Sequence, residues 1–348
     1  MKLIKKFLGI AAVIAVIGFM VLPLTGCPEA GDNDNKKNTP TTETPTIYYT
    51  GGNIEEFAAW LAEQDEGVLC DVKLTLDDLE GLVSVLKMYP NKKVSLDLSD
   101  STFTSIGNGA FSGCSNLASI IIPNSVTSIE TSAFDGCTSL TGVTIPSSVT
   151  SIERFAFDGC TSLTGITVDE NNTSFASVDG ILYNREKTNI ILVLNGITGN
   201  VTIPDSVTSI ENSAFSGCTS LTGVTIPSSV TSIGYNTFSR CTSLVGITIP
   251  SSVTSIGNFA FSRCTSLTGV TIPSSVTSIG YDAFSGCTSL TGVTFQGTIV
   301  STGFDNNAFF GLGDLRSKFY TTDPTNGTPG TYTTTAPVSD TSVWTKQN

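Results

Sequence analysis

Cysteine is the residue type in this chain best suited to chemistry, and seven of the nine cysteines recur at a fixed interval. Cys114, Cys137 and Cys160 are 23 residues apart, and so are Cys218, Cys241, Cys264 and Cys287. A zinc cluster needs close pairs with roughly two to four residues between them, and this spacing has none. A disulfide needs Cβ atoms about 3.8 Å apart in a suitable orientation, which rungs stacked about 5 Å or more apart disfavour. A nucleophilic thiol needs a base. The chain has no histidine, which removes the usual Ser-His-Asp and Cys-His arrangements and His-ligated metals. The repeated cysteines, and Cys70 with them, are therefore read as buried thiols acting as small hydrophobes.

The carboxylates are no better placed for catalysis. Glu55, Glu56, Asp77, Asp78 and Glu80 fall at the starts of expected helices, where the helix dipole favours solvated negative charge. Gly31-Asp-Asn-Asp-Asn35 superficially resembles a calcium loop but lacks that motif's Gly and distal Glu. There is no phosphate-binding Gly-rich loop. No enzyme activity, cofactor or metal is expected. Acidic residues outnumber basic ones, 30 to 17, for a net charge of −13. Without residues 1–26, which hold three lysines and no acid, the charge becomes −16. Such a chain is a poor partner for nucleic acid or anionic lipid.

The cysteines mark the period of a longer unit. Leu140, Val143 and Ile145 follow an L-x-x-L-x-L pattern, and Leu221, Val224 and Ile226 repeat it. The alternation at Val143 and Ile145 is that of a short strand, ended by Pro146, which has no N–H to donate. Val149, Ile152, Ala156, Phe157 and Cys160 must then turn back to close a coil around an apolar interior. One coil cannot cover its own two faces, so copies must stack.

These repeats, with Ile-Pro-x-Ser-Val-Thr-Ser-Ile-x-x-x-Ala-Phe-x-x-Cys in each, resemble the BspA-like leucine-rich repeat family over roughly residues 96 to 315. The resemblance implies a right-handed, β-rich solenoid, with a parallel sheet on one face and short strands and helical turns on the other. It also implies a bacterial surface protein. Some members of the family are implicated in binding host matrix proteins or other bacteria.

The remaining segments are read around that array. Lys2, Lys5 and Lys6, the apolar run Phe7–Leu22 and Leu24-Thr-Gly-Cys27 resemble a lipoprotein leader. Residues 1–26 would be the signal peptide and Cys27 the acylated residue; an ordinary signal peptide and an uncleaved anchor are the alternatives. Residues 27–46 read as a flexible tether. Residues 47–95 read as a small α/β N-terminal cap. In it Asn53 caps a helix with Glu56 as capping-box partner, and a second helix runs from Leu76 to Met88. The array spans 96–312. An irregular insertion at 169–200 is read as a hairpin or one irregular coil. It contains Asp179-Gly-Ile-Leu-Tyr183, similar to insertions in the family, and is taken as architectural, with a dedicated binding loop as the other reading. Residues 313–348 read as a C-terminal cap or tail.

Recognition has two candidate surfaces. The strand face offers Thr141, Gly142 and Thr144 and their repeats, flat and without aromatic or Arg anchors. The copies differ instead after the second Ile and before the Cys. There Tyr235, Arg240, Arg263 and Tyr281 form a stripe that is the candidate binding site. The expected function is a lipid-anchored, non-catalytic surface binding protein or adhesin of the bacterial envelope, facing outward. Its expected partner is a protein, either a host matrix protein or another bacterial surface. The alternative is a structural envelope protein whose array self-associates.

Overall fold

The computed structural model describes residues 47–347, so the expected leader, Cys27 and the whole of the expected tether lie outside the described residues. A strand needs partners on both edges, and the repeat supplies them from the coils on either side. Gly142–Ile145 pairs in parallel with Gly165–Val168, with Gly142 against Gly165 and Val143 against Ile166. Gly269–Ile272 and Gly292–Phe295 pair in the same register. One six-stranded parallel sheet runs from Ile47 to Val168, and a three-stranded one from Gly199 to Thr248. An offset of one whole repeat keeps every Val and Ile facing inward.

Two-residue Ser-Ile strands form a second ladder. Ser128 pairs between Ser105 and Ser151, and Ser255 between Ser232 and Ser278. From there each coil turns back through single helical turns. The Ala133 N–H donates to the Glu130 carbonyl at 3.2 Å, Cys137 to Phe134 at 3.1 Å and Leu140 to Cys137 at 3.0 Å.

The interior is built from repeated identical contacts. The rings of Phe111, Phe134 and Phe157 stack at 5.3 and 5.2 Å, almost parallel. Phe238, Phe261, Phe284 and Phe309 do the same at 5.4, 5.0 and 4.7 Å. Each repeat cysteine earns its place by reach. The Cys137, Cys160, Cys241, Cys264 and Cys287 thiols each donate to a Phe carbonyl one coil back, all at 3.1 Å. All eight described cysteines are buried and free. The repeat hydroxyls serve the same end. Ser148, Ser252 and Ser275 donate to Val carbonyls of the preceding coil at 2.7, 2.6 and 2.7 Å. Stacking is thus held by short uncharged side chains, which accounts for a charged fraction of only 14%.

At the N-terminal end, β1 (Ile47–Gly51), β2 (Leu69–Leu74) and β3 (Lys93–Asp97) continue the sheet in parallel. Helix α1 (Ile54–Glu63) is capped by Asn53, whose side chain accepts from the N–H groups of Glu55 and Glu56. Helix α2 is Glu80–Met88, four residues shorter than the apolar spacing predicts. The reason is tertiary. The Leu76 N–H is taken by the Ser101 hydroxyl, and the Leu76 carbonyl accepts from Thr102. Asp78 then caps the shortened helix through the Glu80 N–H. At the other end, Gly330–Thr333 runs antiparallel to Gly292–Phe295. Trp344 is buried there, with its indole N–H on the Leu312 carbonyl at 2.7 Å.

The insertion is a three-stranded antiparallel meander, Phe175–Val178, Ile181–Asn184 and Asn189–Val193. Its last strand then joins the Ser-Ile ladder in parallel, Ile190 against Ile210. The apolar interior divides at this point. Leu182 and Leu194 belong to the cluster that begins at Phe57, whereas Ile181, Tyr183, Ile190 and Val193 belong to the one that ends at Trp344.

Candidate functional site

The outer turn of each coil passes twice through the left-handed backbone region. The third residue after the second Ile is one such point, with φ of +59° at Gly109, +56° at Ser132, +62° at Ser213 and +55° at Asn236. The residue before the Cys is the other. It is glycine in five coils, with φ from +68° to +77°, but Arg240 at +60° and Arg263 at +61° in the others. Phe155 and Phe259 occupy the first point at +59° and +56°. A bulky side chain in this region costs about 1–2 kcal/mol because its Cβ crowds the following carbonyl. Four large side chains are therefore held at positions whose backbone conformation works against them.

Arg240 and Arg263 belong to the predicted stripe, and Phe155 and Phe259 pack against its tyrosines. Phe155 meets Tyr235 edge-on at 6.0 Å, Tyr235 meets Phe259 at 5.8 Å, and Phe259 meets Tyr281 at 5.4 Å. The two tyrosines are 40% and 42% exposed, and both arginines are exposed beside them. The Tyr235 and Tyr281 N–H groups are held by the Asn212 and Asn258 side chains at 2.8 and 2.9 Å. This explains one repeat variation. A Cβ on Gly234 or Gly280 would lie 2.4 or 2.3 Å from those amide oxygens, so Glu at this position gives way to Gly. Phe155 and Phe259 lie outside the stripe expected from the sequence, because a Phe within an apolar repeat reads as core. The available signal was that the two phenylalanines stand where other copies carry Gly, Ser, Asn or Asp.

Phe155 and Tyr235 face each other because the stack is broken between them. Ile190 to Asn200 spans ten residues, whereas their register partners Ile210 and Gly223 are thirteen apart. The inserted coil thus lacks three residues of outer turn. In an intact stack, Ser132, Phe134 and Gly136 donate to the Arg154, Ala156 and Asp158 carbonyls of the next coil at 3.2, 2.8 and 2.8 Å. At the break, the N–H groups of Phe155 and Phe157 have no partner among the described residues, and that of Gly159 turns to the Asp158 carboxylate at 3.2 Å. On the far wall only Ala214 accepts, from Val193 at 2.7 Å. The Asn212 and Ser216 carbonyls accept from no described residue.

The result is a cleft of about 890 Å³, floored by Ile191, Leu192 and Asn195 and rimmed by Phe155, Tyr235 and Arg240. Ser213 is only 7% exposed, and its hydroxyl has no partner. Asn195 donates to the Cys160 carbonyl at 2.8 Å, but its Oδ1 is buried and unpaired. Burial pushes the Asp158 carboxyl above its ordinary value, with Asp135 adding to the shift; the Gly159 hydrogen bond and Arg240 oppose it. The thiols take no part in this chemistry. Burial pushes Cys160 and Cys218 up to about 12, so neither is a thiolate near neutral pH. No cluster of metal-ligating residues occurs among the described residues.

The repeats match the BspA type leucine rich repeat region in six copies, over residues 89–190 and 195–315. The match is interrupted at 191–194, which lies in the floor of the cleft. The crystal structure of a leucine rich cell surface protein from Faecalibacterium prausnitzii A2-165 is similar, with 25% identity and a TM-score of 0.55. The alignment covers 71% of this chain and 76% of that one. The pneumococcal vaccine antigen PcpA shares the fold at 21% identity and a TM-score of 0.52, over 66% of this chain and 61% of its own. No curated protein matches the sequence. With the family match covering well over half its length, the chain belongs to the BspA-type leucine-rich repeat family.

Proposed function

We propose that this protein is a non-catalytic binding protein of the bacterial cell surface, anchored through a lipid on Cys27, which engages a protein ligand through the outer-turn stripe. The observation that carries this reading is the unfavourable backbone at Phe155, Phe259, Arg240 and Arg263. Local strain is retained where function requires it, and here it presents half-exposed aromatic and Arg side chains, the types enriched at binding hot spots. The surface and adhesin parts of the reading rest on family membership and on the surface relative from Faecalibacterium.

Tyr235→Ser combined with Arg240→Gly tests the reading. The full chain, displayed on cells, is titrated with matrix proteins and with other bacteria. The double variant is expected to weaken binding by about 1 kcal/mol or more while folding normally. Equal affinity, together with altered affinity when Thr225 and Thr248 become Lys, would move the site to the strand face. Sedimentation of the unliganded protein addresses the self-associating alternative, which requires concentration-dependent assembly. Cys27→Ala is expected to abolish palmitate labelling and to change detergent partitioning; unchanged labelling would remove the anchor.

A further inference from the structure

We propose that the cleft at the break in the array captures an extended, basic segment of a partner polypeptide, laid into the place of the missing outer turn. This inference rests on the protein-binding reading above and adds to it a second contact, with a defined chemistry. Three independent features of the cleft lead to it.

The first feature is the backbone. In every intact junction the outer turns of neighbouring coils are joined by N–H to carbonyl bonds. At the break one wall presents the N–H groups of Phe155 and Phe157, two residues apart, and the opposite wall presents the carbonyls of Asn212 and Ser216. Donors on one side and acceptors on the other are what a strand needs on its two edges. A polypeptide carries both kinds of group at matching intervals. Backbone groups left unpaired in a partly enclosed site lose more than those at an open surface, so pairing them has a large effect.

The second is the interior of the cleft. The Ser213 hydroxyl is more than nine-tenths buried, lines the cleft and has no partner, and Asn195 Oδ1 is buried and unpaired on the floor. Ile191 and Leu192 are half-buried beside them. An extended chain alternates its side chains, so one residue can face the apolar floor while the next faces the wall.

The third is charge. Asp158 stands in the cleft wall with Asp135 one coil behind it, and Glu153 and Glu211 also line the cleft. Asp282 lines it too, against Arg154, Arg240 and Arg263, so five carboxylates face three guanidinium groups and the lining is net acidic. A Lys or Arg side chain entering the cleft would meet Asp158 and Asp135 together and relieve their mutual repulsion. An acidic segment would add negative charge to a lining in which carboxylates already outnumber arginines. Electrostatic complementarity of this kind decides which partner is accepted.

The test is a displayed library of random heptapeptides, panned on the full chain, with Leu192→Trp as the variant that fills the cleft. Thermal unfolding and near-ultraviolet circular dichroism establish that this variant folds. Sequences retained by the parent and lost on Leu192→Trp are expected to share one Lys or Arg flanked by alternating β-branched residues. Asp158→Asn is expected to weaken their binding about tenfold or more, as for loss of a charge-assisted contact. N-methylation of alternate residues in the selected peptides is expected to abolish it. Selection of acidic peptides, full retention by Leu192→Trp, or indifference to N-methylation would overturn the proposal, as would displacement of the peptides by an oligosaccharide such as maltotriose but not by each other. The two readings fail separately. If Leu192→Trp and Asp158→Asn leave partner binding intact while Tyr235→Ser with Arg240→Gly weakens it, the stripe stands and the cleft falls. If none of the three changes partner binding, both fall.

Discussion

Within a block the coils share every kind of contact, and across the break they share few. Phe238 lies between Phe215 at 4.8 Å and Phe261 at 5.4 Å. Phe157 has Phe134 on one side at 5.2 Å and no ring on the other. Cys241 reaches the Phe215 carbonyl at 3.1 Å, whereas Cys218, just past the break, lies 3.7 Å from the Val193 carbonyl. A solenoid is stabilised by nearest-neighbour interfaces, and this one gives up part of an interface at a single place. What it gains there is a recessed surface with unpaired backbone groups on both walls.

The comparison is tested most severely in the core. Phe238→Ala is expected to cost about 3–5 kcal/mol, because both flanking rings lose their partner and the cavity cannot collapse between two ladders. Phe157→Ala should cost about 1 kcal/mol less, having one aromatic pair to lose instead of two. Chemical denaturation midpoints measure both. Equal costs would mean that the meander seals the broken interface as well as a regular coil does.

A second test uses the buried thiols. Burial pushes Cys114 up to about 11, and Cys160 and Cys218 up to about 12, from an ordinary value of 9.0. Cys137, Cys241 and Cys287 shift in the same direction. The folded state therefore favours the protonated thiol. Its contribution is complete below the unfolded value near 9.0 and is lost as pH climbs toward 12. The denaturation midpoint should fall as pH rises from about 9 toward 12, and Cys218→Ala should make that fall shallower. An identical pH dependence in the variant would show that this thiol stays solvated at the break.

The sequence displays the regular part of this molecule almost completely, and the break only in outline. Twenty-three-residue spacing, the L-x-x-L-x-L run and the Pro after it fix which residues turn inward, because every coil repeats the same solution. The early start expected for the second helix came from apolar spacing at Leu76 and Leu79. That spacing carries no information about Ser101 and Thr102, which hold Leu76 from 25 and 26 residues away. The stripe of Tyr235, Arg240, Arg263 and Tyr281 is visible as variation among copies. The cleft beside it is not, since it depends on a three-residue deficit that only strand register reveals. One signal was readable and carried more than it seemed to. Glycine before the Cys in five of seven copies marks a left-handed backbone, and so marks Arg240 and Arg263 as exceptions with a cost.

That cost provides the finest test, at the same turn position on the two sides of the comparison. Arg263 lies within a block, at φ +61°, and Gly159 lies on the wall of the break, at φ +68°. Arg263→Gly removes a crowded Cβ from the left-handed region but frees the unfolded chain, so the expected gain is about 0.5–1 kcal/mol. Gly159→Arg should lose more than that. It adds the same strain, and its Cβ would stand 3.2 Å from the Gly136 backbone nitrogen, an atom that cannot move without disturbing the preceding coil. Arg263→Gly should also leave the Phe259–Tyr281 contact in place, because those rings pack on each other and not on the guanidinium. The paired midpoints then separate two explanations of the arginines. A gain on Arg263→Gly means that the fold tolerates this residue against its own stability, which is what a retained contact residue requires. A loss means that the guanidinium helps to hold the turns together, and the argument from strain to ligand binding would lose its main support.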